Sequence, residues 1–89
     1  MSDDKLRDKL NRAQIARDLL DNELLKEAYL QIDAELINGW RLTTARDTDA
    51  RERIWAAVQA NGKHQDYLRS VVDNGKLAQK QLDELTGSQ

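Results

Sequence analysis

Residues 48–74 read TDARERIWAAVQANGKHQDYLRSVVDN, and whether they make one helix or two decides the fold. Ile54, Trp55, Val58, Leu68, Val71 and Val72 recur at spacings that gather them on one side of a helix. The stripe is interrupted at Asn61-Gly62, where a seam would need an apolar side chain, and Asn-Gly is also the strongest short turn signal. Continuity through Gly62 costs about 1 kcal/mol relative to alanine, and the apolar phase of Val58 resumes at Leu68 and Val72. We therefore read one helix over 48–74. Two accounts of Asn61 stand: a polar seam residue that fixes register and oligomeric state, or a turn at which the stripe simply meets water.

Working toward the C-terminus, Asn74-Gly75 carries a helix-stop signal, which predicts a separate amphipathic helix over 76–85 built on Leu77, Ala78, Leu82 and Leu85. Residues 86–89 are expected to fray. Toward the N-terminus, Thr44-x-x-Asp47 or Thr48-Asp49 offers a hydroxyl cap followed by acidic residues for the opening of the third helix. A second helix is expected over 22–39, with Leu25, Ala28, Tyr29, Ile32, Leu36 and Trp40 in its stripe and Gly39 supplying a left-handed C-terminal residue. Leu24, Leu30 and Ile37 widen its apolar surface beyond one face, which predicts more than one packing neighbour. The first helix, 3–20, places Leu6, Leu10, Ala13, Ala16 and Leu20 on one side. Asp21-Asn22 punctuates the two as a kink or a short turn, although a continuous helix would also absorb it.

The composition suits helices. The 89 residues include no proline and only four glycines, and 34% are charged. No window approaches 18 consecutive apolar residues, so no transmembrane helix is expected, and the polar start Met-Ser-Asp-Asp-Lys does not read as a secretory signal. Absence of cysteine removes disulfides and thiolate chemistry and fits a reducing compartment. Hydrophobic residues are 39% of the chain and ten of them are alanine. A core this thin, with no cross-link, predicts an oligomer or a partner-bound protein.

Little in the chain reads as chemistry. His64 is the one histidine, so no second imidazole or thiolate exists to build a transition-metal cage. Ser2, Ser70 and Ser88 sit in no nucleophile pattern, and the glycines stand alone rather than in a phosphate-binding loop. The expectation is a protein without catalytic residue, cofactor or metal. Arg41, Arg46, Arg51 and Arg53 cluster near the second connection as candidate nucleic-acid contacts, but three carboxylates leave residues 41–53 at only +1. The helices are also longer than a helix-turn-helix recognition unit needs. The second helix and its cap carry five carboxylates against one lysine, Lys26.

ARDTDARERIW (45–55) and YLRSVVDNGKLA (67–78), with LLDNELL (19–25) upstream, resemble blocks in a family of small helical proteins of tailed bacteriophages and prophages. The chain departs from that pattern at Asn61, where family members tend to be apolar, and at Gly62, where they lack glycine. The resemblance implies a role in virion assembly or DNA packaging, in the host cytoplasm and in the virion, and carries over no catalytic residue.

These observations lead to an all-α protein of one domain, an antiparallel hairpin or small open bundle of three or four helices completed by self-association. Leu25, Tyr29, Ile32, Leu36, Trp40, Ile54, Trp55, Val58, Asn61 and Leu68 are the expected oligomer or partner interface, with Trp55 in the core and Trp40 either core or hot spot. The expected function is that of a non-catalytic assembly adaptor, its partner a second copy or another phage structural protein. The alternatives are a DNA-recognition subunit of the packaging machinery and an inhibitor that offers its acidic helix to a host protein.

Overall fold

The computed structural model describes residues 3–87. Three helices account for nearly all of them: α1 (Asp3–Asp21), α2 (Glu23–Arg41) and α3 (Thr48–Thr86). No strand occurs among the described residues. At 1.5 Å per residue, the 39 residues of α3 run about 58 Å, close to the full 65 Å length of the molecule. The helices α1 and α2 line α3 in succession and antiparallel to it. Leu6 packs with Ala78 and Leu82, Asn61 bonds to Tyr29 and Asp33, and Arg51 reaches Trp40. Partner numbers on α3 fall as those on the first arm rise. The fold is a long helical hairpin whose first arm is broken once.

That break is a single residue. Asn22 has extended backbone (φ −67°, ψ 119°), and its side-chain oxygen accepts from the Leu25 amide, at 2.9 Å. An asparagine oxygen satisfies an amide that the new helix leaves free, so the chain restarts at once instead of looping. The tip is residues 42–47. Asp47 closes it, its carboxylate accepting from the Ala50 amide at 3.3 Å. The cap is therefore this acid rather than a threonine hydroxyl.

The helix seams follow a three-four repeat. Ile54, Val58, Asn61, Gln65, Leu68, Val72 and Gly75 are all at least half-buried and line α3 toward the first arm, the spacing that keeps one stripe facing a partner helix. The helix is thus unbroken through Asn61-Gly62, with Asn61 at only 9% exposure on its inner side.

Two local expectations are corrected. The second helix passes through Gly39 and ends at Arg41, and no described glycine has a positive φ. The stop expected at Asn74-Gly75 is absent; the segment 76–85 is the last part of α3. Gly75 is buried against α1 instead of capping a terminus. In both cases tertiary packing carries the helix across a residue that would end it in isolation.

Burial is uneven. Among the described residues, Leu6, Ala13, Ala16, Ala78 and Leu82 are the buried apolar ones, all in the limb formed by α1 and the C-terminal half of α3. α2 buries none of its residues. The radius of gyration is 19.1 Å, against about 12 Å for a compact domain of this length.

Candidate partner-binding surface

The expected interface residues divide into two groups. Leu25, Tyr29, Leu36, Ile54, Val58 and Leu68 are half-buried along the seam between α2 and α3, and Asn61 is buried there. These side chains hold the hairpin together and are largely used within the chain. Ile32, Trp40 and Trp55 are open, at 44%, 41% and 64% exposure. Trp55 is therefore not a core residue: it lies one position beyond Ile54 on α3, a rotation of about 100° that carries the indole out of the seam.

Asn61 completes a polar cross-link inside the seam. Its Nδ2 donates to the Tyr29 carbonyl at 3.3 Å and to Asp33 Oδ1 at 3.2 Å. No buried side-chain nitrogen or oxygen among the described residues lacks a hydrogen-bond partner. The stripe therefore does not meet water at this turn. The asparagine occupies a seam position and ties α3 to α2 at one register.

Beside the seam, the Arg51 guanidinium stacks over Trp40, 4.1 Å from the ring centroid, and donates to Thr43 Oγ1 at 3.2 Å. Arg51 is thereby committed to the tip of the hairpin, where it links α3 to the loop. Arg41, Arg46 and Arg53 are exposed. Ile37 lies about one turn before Trp40 on α2, and Trp55 lies about one turn after Arg51 on α3. In an antiparallel pair these positions follow the Trp40–Arg51 contact along one side of the hairpin. Leu30, 73% exposed, and Ile37, 42% exposed, extend that side along α2.

A second apolar area lies on the other limb. Ile15, Ala16, Leu19, Tyr67, Leu68 and Val71 line a shallow groove of about 140 Å³ beside Arg12, whose Nη2 donates to the Tyr67 hydroxyl at 3.4 Å. Ile15 and Tyr67 are each about three-fifths exposed. Neither Ile15 nor Leu19 belongs to the α1 stripe, and neither they nor Tyr67 were expected at an interface. The one sequence signal for them is that apolar residues fall outside the seam positions.

The accessible surface of the chain is 7014 Å², whereas a compact monomer of 10.2 kDa exposes about 5,300 Å². The excess, about 1,700 Å², lies well above the ~800 Å² that each partner contributes to a standard interface. No three metal-ligating side chains cluster among the described residues, and no described helix is long and apolar enough to cross a membrane. No family model, curated protein or solved structure matches the chain.

Proposed function

We propose that this chain is a non-catalytic adaptor that works through helix-mediated association, lending the open sides of its hairpin to a second copy or to another structural protein. The observation that carries this is the exposure of Trp40, Trp55, Leu30 and Ile37 on one limb, outside a seam that is already filled. Large aromatic side chains left at the surface dominate binding energy where a partner covers them. The setting, assembly or packaging of a tailed-phage particle in the host cytoplasm and in the virion, rests on the resemblance of the 45–55 and 67–78 blocks.

The test is solution mass by light scattering, with and without purified virion components, for the native chain and Trp55→Glu. Association of the native chain that Trp55→Glu weakens supports the adaptor. Monomers under both conditions overturn it. Tight binding to duplex DNA that falls steeply with salt would point instead to a packaging subunit reading DNA through Arg41, Arg46 and Arg53.

A further inference from the structure

The structure leaves a second three-four repeat on the outside of α2. Glu23, Glu27, Leu30, Ala34, Ile37 and Arg41 succeed one another at spacings of four, three, four, three and four, and all six are exposed. This stripe is rotated by roughly a third of a turn from the inner one that contacts α3. Its centre is apolar, its N-terminal end doubly acidic and its C-terminal end basic. A coiled-coil seam with that layout lacks only a facing helix.

We infer that the facing helix is α2 of a second copy, docked antiparallel over its whole length to form a twofold dimer of hairpins. This rests on the adaptor reading and names one of its partners. Antiparallel seams pair the two core positions of the repeat with each other. With both copies of Glu23–Arg41 fully overlapped, Leu30 meets the second copy's Ala34, so that a large side chain faces a small one. Glu27 meets Ile37, and Glu23 meets Arg41.

Charge selects this direction. Glu23 makes only an exposed contact to Lys26 within its own helix, at 3.7 Å, and is free to turn toward an arginine. A parallel pair would set Glu23 and Glu27 against their own copies. The antiparallel pair sets the acidic start of α2 beside the tip of the second hairpin, which carries Arg41 and Arg46. The two α1 segments then leave in opposite directions and do not compete for space. Trp55, on the limb formed by α2 and α3, rims the new seam.

The test uses the full chain, which contains no cysteine. Glu23→Cys/Arg41→Cys places two thiols 18 residues apart in one helix, about 27 Å, too far for an internal disulfide. Mild oxidation is expected to give a covalent dimer from this double variant and none from Glu23→Cys alone, which cross-links only in a parallel pair. Leu30→Lys/Ile37→Lys, at exposed positions, is expected to keep the helical circular dichroism and raise the dimer dissociation constant at least tenfold. Arg41→Glu should weaken the dimer at low salt, and adding Glu23→Arg should recover part of the loss. A native chain that stays monomeric at high micromolar concentration overturns the inference. So does an oligomer that Leu30→Lys/Ile37→Lys leaves intact, or cross-linking by Glu23→Cys alone; both leave the adaptor reading standing with a different surface.

Discussion

Ala13 of α1 and Gly75 of α3 pack in direct contact: a methyl group built on Gly75 would fall on the Ala13 methyl. The same added methyl lies 3.4 Å from the Lys9 carbonyl oxygen, so backbone as well as side chain closes the space. Two helices packed this tightly gain contact along their whole limb, but only while the position stays glycine. Gly75→Ala therefore loses stability although alanine is the better helix former. The expected cost is about 1–3 kcal/mol, as for other overpacked contacts, measured as a fall in the urea midpoint. At Gly62 an added methyl meets nothing within 4 Å, and Gly62→Ala should gain about 0.5–1 kcal/mol. Opposite signs for two glycines in one helix are the outcome to check.

The Asn61–Asp33 hydrogen bond joins α3 to α2 inside an otherwise apolar seam. Asn61→Ala removes both of its hydrogen bonds and leaves a half-buried carboxylate facing a methyl, at an expected cost of about 1–3 kcal/mol. Asp33→Ala should cost less, because the Tyr29 carbonyl still accepts from Asn61. A double-mutant cycle should return a coupling of roughly 0.5–3 kcal/mol. Additive losses would mean that the two side chains do not interact.

The two tryptophans should separate in their effects. Trp40 carries the Arg51 stack, so Trp40→Ala loosens the tip by about 0.5–1 kcal/mol of cation–π energy plus its partial burial. Trp55 is 64% exposed. Trp55→Ala should leave the melting of dilute, unassociated protein within about 0.5 kcal/mol of the native value and act on association. Unfolding by Trp55→Ala at low concentration would return that residue to the core.

Among the leucines the contrast is sharper. Leu6, at 1% exposure, is the largest side chain fully buried among the described residues, while Leu24 is 73% exposed. Leu6→Ala should cost about 2–5 kcal/mol, and Leu24→Ala less than about 0.5 kcal/mol. Thermal or urea denaturation of the two variants in parallel checks the pair.

The helical content, the Asn22 restart and the continuity of α3 through Asn61-Gly62 were legible in the sequence because each rests on local spacing or local capping. Gly39 and Gly75 misled for the same reason. An Asn-Gly pair ends a helix only when nothing packs across it, and whether α1 lies against Gly75 is not written within a few residues of it. Trp55 misled differently: its bulk suggests core, but its position one residue past Ile54 turns it outward once the seam is fixed. The half-buried interface residues Leu25, Tyr29, Leu36, Ile54, Val58 and Leu68 were read from periodicity as contact residues. Periodicity alone could not distinguish a contact within the hairpin from a contact with another molecule. The outer α2 stripe was visible only as Leu30 and Ile37 falling outside the first one.

The central claim is that the hairpin covers its open apolar sides by association. Its most direct test is the melting temperature of the native chain across a hundredfold range of protein concentration. Association stabilises the folded state by mass action, so the melting temperature is expected to rise with concentration while Leu30→Lys/Ile37→Lys stays flat. A single transition at one temperature throughout, with solution mass fixed at 10.2 kDa, would contradict it.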